Sequence, residues 1–168
     1  MDRNGKKTED LGRSSRPIGF LLSQVGSIAA SKFAELLKPL GISPSHAGIL
    51  RALAKAVGLS QKDLCTMLSI LPSRLVILID ELESKGLVQR ADDPADRRSY
   101  SLRLTNKGLK TMSSIGDLAR LHSEEMCKGL SSDQRGQLGE LLSKIAETQG
   151  LTPGVHPGYK RIGKRVQS

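Results

Sequence analysis

At 168 residues, with 2% aromatic residues and no Trp, the chain is sized for one domain with tails, and its core must be built from Leu, Ile, Val and Ala. Twenty-six basic residues against 17 acidic ones leave a net charge of +9, which favours a nucleic acid or another anionic partner. Two distant cysteines, Cys65 and Cys127, argue against a disulfide framework or a Cys-based zinc site; without an apolar run of ~18 residues or a signal-peptide core, the chain is expected in the cytoplasm with no membrane partner.

The charge is uneven. Residues 59–104 hold seven basic and seven acidic side chains, whereas 151–168 hold four basic ones and no acid. Either the excess meets an anionic partner, or it is mostly tail charge.

Residues 1–17 are polar and read as a flexible arm, either passive or touching a polyanion. Residues 18–38 read as a helix, with Leu21, Val25, Ile28, Ala29, Phe33, Leu36 and Leu37 at three- and four-residue steps, ended by Pro39 and Gly41. Phe20, Leu22 and Ala30 make it apolar on more than one stripe, which predicts burial against a second chain. Ser43-Pro44 opens the next helix as N-cap and first residue. Ala47, Leu50, Leu53 and Ala54 give its apolar face as far as Gly58. It carries His46 and Arg51; His46 is either a satisfied structural residue or a ligand contact.

Ser60-Gln61-Lys62-Asp63 fits a capping box ahead of a short helix over 60–68. Pro72 opens a second helix, where Leu75, Leu78, Ile79 and Leu82 form one stripe and Gly86 is the stop. Two short helices in this arrangement make a helix-turn-helix pattern. Ser60 and Gln61 would then lie across a duplex backbone. Ser73, Arg74, Val76 and Ile77 would face the major groove; Arg74 could pair with guanine, and Val76 and Ile77 could meet only thymine methyls or sugar.

A two-stranded ribbon is expected over 86–105. Its second arm alternates, with Tyr100, Leu102 and Leu104 on one side and Ser99, Ser101 and Arg103 on the other. Its tip gathers Asp92, Asp93, Asp96, Arg97 and Arg98 around Pro94. A helix-turn-helix followed by such a hairpin is a winged helix. Arg97 and Arg98 are the candidate minor-groove residues, and Asp96, two residues before Arg98, would orient it.

Thr105 and Ser131 cap two further helices, over 107–128 and 131–149, with Gln134 completing a second capping box. Residues 151–168 read as a basic tail that either contacts phosphates or is passive. The three histidines, His46, His122 and His156, are isolated, and no Gly-rich phosphate loop, HExxH or GxSxG is present. No catalytic residue, metal site or cofactor is therefore expected, and the chain is not read as an enzyme.

The run from LSQKDLCTML through PSRLVILIDELESKGLVQRADDPADRRSYSLRLTNKG resembles the MarR family of bacterial winged-helix transcription regulators. The resemblance spans about 18–149 and is sharpest at the Asp-Arg-Arg tip and the Leu-Thr-x-x-Gly that follows. It implies a mainly α fold with a small β-hairpin: a winged helix-turn-helix region (43–105) plus a helical dimerisation region (18–38, 107–128 and 131–149), together one domain over 18–150. It also implies a homodimer on near-palindromic double-stranded DNA, in most members as a repressor. Release by a small-molecule effector, often an aromatic or phenolic acid, would follow, with Phe33, His46 and Arg51 as candidate ligand residues. Three features depart from the family pattern: Leu71 stands at a polar cap position, Val76 and Ile77 stand at positions often polar, and neither Cys65 nor Cys127 matches the N-terminal sensing cysteine of the peroxide-responsive branch. The alternatives are a winged-helix protein-interaction module and an architectural DNA binder without an effector.

Overall fold

The computed structural model describes residues 17–56, 58–92 and 100–156. Within them the order is α1 (Ile18–Leu37), a 3-10 turn (Lys38–Leu40), α2 (Pro44–Lys55), β1 (Leu59–Ser60), α3 (Gln61–Leu68), α4 (Pro72–Ser84), β2 (Val88–Asp92), β3 (Tyr100–Leu104), α5 (Asn106–Met126) and α6 (Ser132–Thr148). The fold is mainly helical with one small antiparallel sheet, as the sequence implies.

Local chemistry sets most element ends. At α3 the Ser60 hydroxyl accepts from the Asp63 amide (3.1 Å) while Asp63 accepts from the Ser60 amide (3.0 Å). At α6 Ser131 and Gln134 do the same. Gly86, at φ 69°, ends α4: its amide donates to Glu83 and the Leu87 amide reaches back to Leu82, which satisfies the last carbonyls. Thr105 starts α5. Its hydroxyl donates to the Gly86 carbonyl at 2.6 Å and accepts from the Gly108 amide at 3.0 Å, which fastens the end of the sheet to the end of α4.

Three expectations are corrected. The second helix stops at Lys55, short of Gly58, because Ala56 is already extended and the chain turns to form β1. The ribbon is three-stranded, in the order β1-β3-β2, with Leu59 opposite Leu102 and Ser60 opposite Ser101. A two-residue strand has no periodicity by which to be recognised. The alternation in β3 also fails at one end: Ser101 is buried and Tyr100 is exposed. β3 is the central strand, so Ser101 is covered from both edges and donates its hydroxyl to the Ala91 carbonyl (3.3 Å); Tyr100 lies one residue past the reach of β1.

The core sits beneath the helix-turn-helix. Leu37, Ile49, Leu50, Leu64, Leu75, Leu78, Ile79, Leu82, Val88 and Leu102 are fully enclosed. Helices α1, α5 and α6 differ. Phe20, Val25 and Ile28 of α1, Leu109 and Leu121 of α5, and Leu138, Leu141 and Leu142 of α6 are all exposed, and α6 buries none of its residues. Apolar stripes on three long helices are left without cover by the described residues.

Candidate nucleic-acid interface

The turn between α3 and α4 is made by Ser69 in the left-handed region (φ 51°), with the Ile70 amide donating to Cys65 at 3.1 Å. Ile70 is buried, and this seats Pro72 at the first position of α4. Leu71 supplies no side-chain cap, so the positive end of α4 carries no acceptor from its own N-cap residue. The side of α4 opposite its buried stripe presents Ser73, Val76 and Ile77 to solvent; Val76 is 39% and Ile77 48% exposed.

Arg74 is only half exposed, and its Nε is enclosed without a partner. It lies near His46, and its charge helps to lower the pKa of that imidazole. Ser60 and Gln61 are half-buried at the start of α3. Ser60 is engaged with Asp63, whose carboxyl its hydrogen bonds hold below the ordinary carboxylate range. Arg97, Arg98 and Asp96 lie outside the described residues.

The residue missed in the sequence is Arg90, on β2. Its guanidinium pairs with Asp80 (2.6 Å) and with Glu83, both on α4, and its amide donates to Glu83 at 3.2 Å. These contacts, Asp80 first, push the Arg90 pKa further up. One arginine thereby neutralises two carboxylates beside the exposed face of α4 and ties the root of the wing to that helix. The signal available was Asp80 and Glu83 at i, i+3, with a lone arginine in the following strand.

The three candidate ligand residues do not converge. Phe33 and Arg51 line one cavity of about 460 Å³ between α1, α2 and α5, with Met112, Ile115 and Val155. His46 is elsewhere, buried and used inside the protein. Its Nδ1 accepts from the Ser43 amide at 3.1 Å, completing a capping box for α2. That leaves the proton on Nε2, which lies 2.7 Å from Glu81 of α4, close though not well aligned for a hydrogen bond. Burial is the main cause that lowers the His46 pKa. Burial likewise pushes up the Cys65 thiol, which fits a small core filler rather than a reactive thiol.

Among the described residues no cluster of three or more His, Cys, Asp or Glu side chains could hold a metal ion, and no helix is long and apolar enough to cross a membrane. Two short helices joined by a tight turn, an exposed face on the second, and a three-stranded sheet rooted on that helix define a winged helix-turn-helix protein.

Residues 40–99 match the model of the MarR family. The chain is 32% identical over 144 residues to the putative transcriptional regulatory protein for the hcr operon of Thauera aromatica, covering 84% of this chain and 86% of that protein. It is 30% identical over 142 residues to the multiple antibiotic resistance protein MarR of Escherichia coli, covering 83% of this chain and 98% of that one. Among solved structures, it is similar to a mutant E. coli MarR complexed with operator DNA, at 28% identity and a TM-score of 0.66 over 81% of this chain and 98% of that one. It is also similar to the transcriptional repressor CouR bound to a 23-mer DNA duplex, at 30% identity and a TM-score of 0.69 over 83% and 99%. The chain belongs to the MarR family.

Proposed function

We propose that this protein is a double-stranded DNA-binding transcription regulator, a repressor, which acts as a homodimer on a near-palindromic site. The observation that carries this reading is the solvent-facing side of α4, with Ser73, Val76 and Ile77, standing beside a wing held to the same helix by Arg90. An α-helix fits the major groove, and the arginines of the wing suit the narrower minor groove. Relatives of the same fold are described with operator DNA or a DNA duplex.

Homodimerisation through α1, α5 and α6 accounts for their uncovered apolar stripes. Two winged helix-turn-helix units held at a set distance then read two half-sites, so site symmetry follows protein symmetry. We assign 18–150 to the MarR-type unit and 43–105 to its DNA-binding part; of the basic 151–168 segment, Gly154 and Val155 lie against that unit.

The cavity holding Phe33 and Arg51 suits a small apolar acid such as an aromatic or phenolic carboxylate. A ligand that prefers a dimer geometry no longer spanning the half-sites shifts the population away from the bound form.

The test is binding to duplexes selected from random sequence, followed by anisotropy across a salt series. Specific affinity should fall steeply with salt, and Arg98→Ala should weaken it by about 1–3 kcal/mol. Salt-independent binding, or an Arg98→Ala variant equal to the parent, would remove the basis for the assignment.

A further inference from the structure

The cavity lined by Phe33 and Arg51 is closed on one side by the segment after α6, and that segment is built to fold back. The Gly150 amide donates to Glu147 and the Leu151 amide to Ala146, so the chain reverses at the helix end. Thr152-Pro153-Gly154-Val155 then forms a tight turn, with the Val155 amide donating to the Thr152 carbonyl at 3.1 Å. Proline second and a glycine at φ 76° third are the residues a type II turn requires.

The turn delivers two groups to the cavity. Val155, half-buried, packs against the core residues. The Gly154 carbonyl accepts from Arg51 Nη2 at 2.6 Å. A Cβ added at Gly154 would lie 2.8 Å from Arg51 Nη2 and 3.7 Å from Lys55 Nζ. The Gly154 turn therefore stands beside two cations one helical turn apart on α2, and its carbonyl is bound by the Arg51 one, at the edge of a space lined mainly by apolar residues and by His156.

We propose that residues 152–156 are an internal strap that competes with ligand for Arg51. A small apolar carboxylate that takes Arg51 Nη2 displaces the Gly154 carbonyl from it and lifts Val155. The neutral carbonyl makes the weaker bond, because a carboxylate adds charge assistance to the same hydrogen bond. The strap thus sets a threshold: anions displace it, and uncharged molecules of the same shape do not. Its closed fraction lowers apparent affinity by the fraction of molecules left open. This rests on the cavity being the ligand site proposed above.

The test uses the full chain, benzoate as the probe, and benzyl alcohol as its uncharged counterpart, measured by calorimetry. Two variants release the strap from opposite ends: Val155→Ser removes the apolar anchor, and Gly154→Ala places a side chain against Arg51 in a backbone conformation that alanine resists. Both should bind benzoate on the order of three- to tenfold more tightly than the parent. In the parent, benzoate and not benzyl alcohol should abolish methyl NOEs between Val155 and the cavity wall. Equal benzoate affinity in parent and variants, with those NOEs retained, would overturn the strap and leave the ligand site standing. No benzoate binding by parent or either variant would overturn the ligand site, and the strap with it.

Discussion

Arg90 Nη2 lies 2.6 Å from Asp80 Oδ1, which joins the first strand of the wing to the exposed side of α4. With Glu83 as its second partner, Arg90 neutralises two carboxylates of α4, which in the proposed DNA complex would otherwise repel phosphate. Arg90→Ala should lower DNA affinity on the order of tenfold. Adding Asp80→Asn and Glu83→Gln to Arg90→Ala should restore most of the loss, because the repulsion disappears with the acids. An unrecovered triple variant would mean that Arg90 itself touches DNA.

Gly108 backs onto the start of β2. A Cβ there would stand 2.0 Å from the Leu87 carbonyl oxygen and 3.4 Å from the Leu104 side chain. This explains the glycine of the Leu-Thr-x-x-Gly run: Thr105 caps α5, and the next turn of helix must approach the sheet without a side chain. Gly108→Ala should destabilise the fold by about 1–3 kcal/mol or more, read from the urea midpoint. An unchanged midpoint would show that the backbone gives way at no cost.

His46 makes stability pH-dependent. Its folded-state pKa is below the ordinary 6.5, so the unfolded chain binds the proton more tightly. Its contribution is fully present above 6.5 and is lost as pH falls through the lower folded value. Burial is the largest cause; Glu81 raises the pKa, while Lys85 and Arg74 lower it further. Unfolding free energy should decline as pH falls below the ordinary 6.5 toward the lower folded-state value. His46→Gln, which keeps an acceptor at the capping position, should flatten that decline. The Asp63 effect belongs to a window below its ordinary 3.8, where stability is lost as pH falls through the depressed folded value.

Leu141 is 58% exposed on α6, a helix that buries nothing within its own chain. Leu141→Glu should shift the protein toward monomer by light scattering. It should also weaken DNA binding by on the order of a hundredfold or more, since each half-site alone forfeits the effective concentration that the linked pair supplies. A variant that stays dimeric and binds as before would place the dimer contact elsewhere.

What the chain's order of residues determined by itself is local. The starts of α3, α5 and α6 were legible because Ser60, Thr105 and Ser131 cap amides three residues on, and such bonds need no distant partner. The buried stripe of α4 was legible because helical spacing alone puts Leu75, Leu78, Ile79 and Leu82 on one face. His46 as the second half of the α2 cap was missed, since histidine is an unusual residue for that task. The tertiary structure decided the rest. It added β1, which buried Ser101; it set Arg90 between Asp80 and Glu83; and it separated His46 from Phe33 and Arg51. It also brought Arg51 to the Gly154 carbonyl, 103 residues away in the chain. No periodicity reports such a contact, because its partners are chosen by how helices pack and not by the residues beside them.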